Sequence, residues 1–125
     1  TALENKDLTI YGEGNQLRDF IYVDDVNNAL LKLMIEPKTS GEVYNLASGR
    51  PTSILEAAET IIKLANSGRI KKIPFPNNQK KIEIGNFYAD ISKIKSAIDW
   101  EPKTSFKKGI KNTIDFYRKY KKYYF

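Results

Sequence analysis

The sequence contains no cysteine and no histidine. The first absence excludes disulfides and thiolate metal sites, and the second removes the commonest general base and metal ligand. Whatever chemistry the chain serves rests on other groups. No apolar run approaches the roughly 18 residues of a spanning helix, and no basic-then-apolar signal segment stands at the front. A cytoplasmic location without a membrane partner is therefore expected. The first residue is Thr1 rather than Met, and residues 1–7 read like the interior of a larger protein. A fragment is expected.

What is present suffices for a core. With 125 residues and 41% hydrophobic content, the chain is expected to form a single unit over residues 1–125. Its 21 basic and 15 acidic residues give a net charge of +6, which favours anionic partners without choosing among them. Much of the excess lies in Lys71, Lys72, Lys80 and Lys81 and in the tail "YRKYKKYYF". Lysines interleaved with tyrosines suit a nucleic-acid module, but no binding motif accompanies them. A solvated basic face is the plainer reading.

The periodicity changes cleanly along the chain. Leu8 and Ile10 alternate with Thr9 and Tyr11 as a short strand ending at Gly12, and Arg18–Val23 ("RDFIYV") reads as a second. Asp24 or Asp25 can then cap a helix carrying Val26, Leu30 and Leu33, which Glu36-Pro37 ends. Gly41–Gly49 ("GEVYNLASG") reads as a buried strand. Ser53 and Glu56 form a capping box before a helix with Leu55, Ala58, Ile62 and Ala65, closing near Gly68. Arg69–Phe75 has the lysines and proline of an edge strand. After a polar loop from Pro76 to Lys81, Asp90 caps a short helix with Ile91, Ile94 and Ile98. "WEPKTS" is a turn that opens a last helix bearing Phe106, Ile110, Ile114 and Tyr117. This order indicates an α/β fold of short strands with about four helices.

The segment "YGEGNQLRDFIYVDD", Tyr11–Asp25, is the most informative chemically. Glycines at 12 and 14 permit a tight turn, but Gly-x-Gly alone is no dinucleotide fingerprint, and P-loop spacing is absent. The Arg18 guanidinium suits a phosphate or pyrophosphate through its planar fork. Pattern alone leaves it balanced between that role and an ion pair with Asp19 or a nearby acid. Asp24 and Asp25 point in opposite directions if extended and precede a helix, so capping is preferred to acid/base or metal chemistry.

"LTIYGEGNQLRDFIYVDDV", "GEVYNLASGRPTSILE" and "ADISKIKSAIDWEPKTSFKKGIKNTIDFY", in this order and covering nearly the whole chain, resemble the C-terminal, substrate-binding part of NAD-dependent nucleotide-sugar epimerases and dehydratases. These are the extended short-chain dehydrogenases. The resemblance implies that the Rossmann half lies outside this chain. It also implies that Thr9 and Tyr11 line the nucleotide base, that Gln16 lies near the ribose and phosphates, and that Arg18 contacts the diphosphate. Tyr44 and Asn45 are then structural, and Trp100, Pro102 and Gly109 shape a turn and a close-packed helix. Many members place a second diphosphate arginine shortly before the position of Asp90. Here residues 80–89 read "KKIEIGNFYA", and Lys80 or Lys81 is left to supply that charge as a point cation.

The family's chemistry implies NAD on a Rossmann domain and a Tyr-x-x-x-Lys pair. Tyr117 and Lys121 have that spacing but stand at the C-terminal end, away from the family's catalytic position. The expectation is thus a binding portion with no catalytic residue, no metal ligand and no NAD of its own. Its implied partners are a UDP- or dTDP-sugar, the missing Rossmann half, and a second copy of itself through homodimerisation or self-association. For the complete enzyme, oxidation of a sugar hydroxyl to a keto intermediate precedes either hydride return to the opposite face or elimination. UDP-glucose 4-epimerase-like activity is preferred, with 4,6-dehydratase as the alternative, then a basic nucleic-acid module or an interaction domain.

Overall fold

A computed structural model describes residues 1–124. Strand β1 (Asp7–Tyr11) pairs in parallel with β4 (Arg69–Ile73), Asp7 opposite Arg69 and Tyr11 opposite Ile73. Strand β2 (Leu17–Arg18) pairs antiparallel with β3 (Thr52–Ser53). Helix α1 (Val23–Ile35) lies between β2 and β3, and α2 (Ile54–Ala65) between β3 and β4. After β4 follow a helical turn α3 (Asn77–Lys80), α4 (Ser92–Ile98) and α5 (Phe106–Lys119). The expected α/β class and the four longer helices are present. The fifth helix, α3, occupies what reads in the sequence as a polar loop, because Lys80 N–H bonds back to the Pro76 carbonyl.

The helix ends follow their capping chemistry. Ser53 Oγ accepts from Glu56 N–H at 3.0 Å to start α2, and Asn66 in the left-handed region ends it. Ser105 Oγ accepts from Lys108 N–H to start α5. Asp90 accepts from Ser92 N–H at 2.8 Å, one residue ahead of the N-cap position at Ile91.

Three expectations are corrected. The second strand stops at Arg18, and Val23 is already helical. The intervening Asp19 turns its carboxylate to the N–H groups of Ser48 and Gly49 (2.7 and 3.2 Å), so a side chain makes the link that a ladder would have made. Residues 41–49 belong to no ladder. Tyr44, Leu46 and Ala47 still pack inward, but no described strand lies alongside to pair with their backbone, and Val43 is 81% exposed. The third correction concerns the acids. Tyr22 is the N-cap of α1, without a side-chain cap. Asp25 is buried and accepts from Lys103 N–H at 3.1 Å and Thr104 N–H at 2.9 Å. It fastens α1 to the turn before α5 and caps nothing.

Two apolar clusters result. One joins Ala29, Ala47, Ile91, Ile94 and Trp100, uniting α1, the 41–49 segment and α4. The other joins Ala2, Ala65 and Ile114, with Leu8, Ile61, Leu64 and Ile110 against it, uniting β1, α2 and α5. Gly109 is where α5 crosses Tyr22. A Cβ there would stand 3.1 Å from the Tyr22 ring, which accounts for a glycine inside a helix.

Candidate functional site

The turn after β1 is built from two glycines at positive φ, Gly12 at 65° and Gly14 at 75°. Gly12 N–H extends the β4 pairing to the Ile73 carbonyl. The Gly14 and Gln16 carbonyls accept from Leu55 N–H (2.9 Å) and Ile54 N–H (3.1 Å), the first amides of α2. With Ser53 Oγ on Glu56 N–H, the donors that would make this helix start an anion site are engaged. The Gly-x-Gly turn therefore seats a helix. It does not fit the pyrophosphate of a dinucleotide such as NAD.

The turn delivers Arg18 to a seam between β2 and the 83–87 segment. Leu17 N–H bonds Asn86 Oδ1 at 2.9 Å and the Leu17 carbonyl accepts from Phe87 N–H at 3.0 Å. Across this seam the Arg18 guanidinium is fixed at three points. Nη1 donates to the Leu17 carbonyl (2.8 Å) and the Gly85 carbonyl (2.5 Å), and Nη2 donates to Glu83 Oε1 (2.7 Å). The pair is half-buried, with a quarter of each side chain exposed. The Arg18 hydrogen bond and charge, together with Gly85 N–H at 3.0 Å, hold the Glu83 carboxyl below the usual carboxylate range. Of the five guanidinium N–H groups, those at Nε and one at Nη2 make no hydrogen bond among the described residues. Arg18 is thus an oriented cation with donors left for a partly exposed anion.

The ion pair was legible only in kind. Its acid is Glu83, 65 residues away, while adjacent Asp19 points to Ser48. The only sequence signal for Glu83 is an isolated acid between two isoleucines. Of the other expected site residues, Tyr11 is 38% exposed and packs on Phe75 with ring centroids 5.6 Å apart. Thr9 is exposed on β1, whose second edge meets no other strand among the described residues. Thr9 also lines a mainly apolar groove of about 560 Å³ with Leu8, Phe20, Ile54 and Phe106. Gln16 is half-buried in the turn. Lys80 stands exposed on α3, and no hydrogen bond or ion pair joins it to Arg18 among the described residues. The structure brings Arg18 to the 83–87 segment, with Gln16 two residues before it in the turn. Tyr117 packs edge-on against Tyr124, 5.0 Å between centroids, and Lys121 lies in the 3-10 turn after α5.

Comparison with known proteins gives a consistent result. The family model described as GDP-mannose 4,6 dehydratase matches residues 1–113. A UDP-N-acetyl-alpha-D-glucosaminuronate decarboxylase of Bacillus cytotoxicus is 37% identical over 122 residues, 94% of this chain and 37% of the relative. A dTDP-glucose 4,6-dehydratase of Escherichia coli is 32% identical over 126 residues, 93% of this chain and 33% of the relative. The crystal structure of UDP-glucose 4-epimerase from Thermotoga maritima, with UDP-glucose, superimposes with a TM-score of 0.83 at 28% identity, covering 95% of this chain and 37% of that one. The chain spans about a third of the length of the relatives it matches.

Proposed function

The chain belongs to the GDP-mannose 4,6 dehydratase family, within the NAD-dependent epimerases and dehydratases of the extended short-chain dehydrogenases, and from that premise we propose that it is the part of such an enzyme that holds the diphosphate of a nucleotide-sugar. The observation that carries this reading is the Arg18 guanidinium, fixed by two carbonyls and Glu83 at a partly exposed seam. A guanidinium held in this way meets a pyrophosphate with little loss of side-chain freedom, and each charge-assisted hydrogen bond adds about 1.5–3 kcal/mol. In this reading Tyr11 packs beside the base, backbone groups of Thr9 and Tyr11 meet the base edge, Gln16 lies by the ribose and phosphates, and Lys80 supplies a point cation in place of a second arginine. NAD would supply the hydride acceptor and donor in the complete enzyme, and in this reading residues outside this set hold it.

UDP-glucose 4-epimerase-like activity of the complete enzyme is the reading we prefer, supported by the likeness to an epimerase that carries UDP-glucose. The 4,6-dehydratase reading is favoured by a specific observation of its own, the dehydratase description of the family model together with the Escherichia coli relative. Calorimetric titration with UDP-glucose, dTDP-glucose and the sugars alone tests the shared core of both. Binding of the nucleotide-sugars, weakened tenfold or more by Arg18→Ala and absent for the free sugars, is expected. Binding that Arg18→Ala leaves unchanged refutes the assignment.

A further inference from the structure

The charge of this protein is concentrated at one end. Seven of the 21 basic residues and one of the 15 acidic residues fall in residues 106–125, so that stretch carries +6, while the remaining 14 basic and 14 acidic residues cancel. The whole net charge therefore resides on α5 and the tail. The family model ends at residue 113, and the last twelve residues hold four of these cations and four tyrosines.

The structure organises this end into a surface. The inner side of α5 is fixed by Ile110 and Ile114 in the second cluster and by Arg118 Nη2 on the Ala65 carbonyl at 2.6 Å. Lys108, Phe116 and Lys119, at spacings of eight and three, share an outward face, and all three are exposed. At its end the chain folds back in a 3-10 turn, Lys121–Tyr123. Phe116 there meets Tyr120 at 4.8 Å and Tyr124 at 6.0 Å. Lys119 lies over the Tyr120 ring and Lys122 over the Tyr123 ring, at 5.2 and 4.8 Å. Tyr123 is 70% exposed. The acid of this region, Asp115, is paired with Lys111.

We propose that this aromatic end, rimmed by lysines, docks the protein on an anionic lipid surface. Two weak signals coincide, as stable peripheral attachment requires: half-exposed aromatics with polar tips suited to the headgroup layer, and a cluster of cations that the surface potential of anionic lipids attracts. The rings are tilted and edge-on toward one another, so they form a knob and not the open platform that stacked bases need. A spanning helix is not involved, and no described helix is long and apolar enough to be one.

Co-sedimentation of the chain with vesicles tests the proposal, using phosphatidylglycerol mixed with phosphatidylcholine against phosphatidylcholine alone. Expected is binding to the anionic vesicles only, falling about tenfold or more between low salt and 0.5 M salt and equally in the triple variant Lys119→Glu, Lys121→Glu, Lys122→Glu. Tyr123→Ser with Tyr124→Ser should weaken binding with the charge intact. No sedimentation, equal sedimentation with both vesicle types, or indifference to the tail substitutions overturns the proposal. So does tighter binding of a 20-residue single-stranded oligonucleotide than of the vesicles. The salt and lipid arms use the unaltered chain, so the result stands even if a variant misfolds.

Discussion

Arg18 Nη2 stands 2.7 Å from Glu83 Oε1, across 65 residues of sequence. This pair, with the Gly85 carbonyl on Nη1 and Gly85 N–H on the same Glu83 oxygen, ties the 83–87 segment to β2. In Glu83→Ala the Gly85 amide loses its acceptor, and its hydrogen exchange should accelerate clearly while amides of α2 stay protected. Uniform acceleration through both regions would show global loss of stability instead of local release.

The same carboxylate sets part of the acid response. Glu83 is lowered by its Arg18 hydrogen bond and Asp90 by the Ser92 side chain and N–H, and Glu4 and Glu42 are lowered by Lys6 and Lys93. A carboxyl lowered in the folded state adds stability that is fully present above its unfolded value, about 4, and lost as pH falls through the lower folded value. Thermal midpoints should therefore be flat on this account near neutrality and fall below about pH 4. Combining Glu83→Gln with Asp90→Asn should flatten that acid limb, which thermal unfolding at stepped pH measures directly.

Asp25 offers a different test, because its role is to bind two backbone amides of a distant turn. Removing the carboxylate in Asp25→Ala strands the Lys103 and Thr104 N–H groups, and a loss of about 2–3 kcal/mol is expected. Asp25→Asn keeps one acceptor and should lose less. Urea unfolding should show a lower midpoint with an unchanged slope. A cap role would instead predict that Asp24→Ala costs as much.

How far the sequence reveals these features depends on their range. The Ser53 and Ser105 caps, the alternation of Leu8 and Ile10, and the edge character of Arg69–Ile73 are local, and each appears where its spacing places it. Arg18 stands out because a guanidinium beside a glycine turn is chemically specific. Glu83, the second attachment of Asp25 and the engagement of the α2 amides by Gly14 and Gln16 depend on segments brought together only by the fold, which no local spacing encodes. The 41–49 segment has the composition of a strand, but composition supplies no neighbour with which to pair.

Gly14 separates backbone strain from packing. Its φ is 75°, and an added Cβ would stand 2.9 Å from Ile10 Cγ2 and 3.1 Å from Leu55 N. Gly14→Ala should cost about 3 kcal/mol, combining the left-handed backbone with a clash against a helix start. Gly41 has nearly the same φ, 76°, with nothing within 4 Å. Gly41→Ala should cost only the backbone share, about 1 kcal/mol, and the difference in denaturant midpoints isolates the packing.

Helix α1 presents an unusual amount of apolar surface. Its stripe reaches the first cluster through Ala29 and Leu33, yet Met34 is 80% and Ile35 82% exposed, with Leu31 also exposed. Small proteins seldom leave so many adjacent apolar groups in water, and such a face drives association. If the Rossmann half expected from the family covers it in the complete enzyme, the 125-residue chain alone should self-associate with rising concentration. Replacing Leu31 and Ile35 by lysine should then shift it toward monomer without loss of helix content, because neither side chain supports the core. Sedimentation velocity across a hundredfold concentration range checks this. A strictly monomeric parent chain, or association untouched by the two lysines, would mean that this face needs no partner.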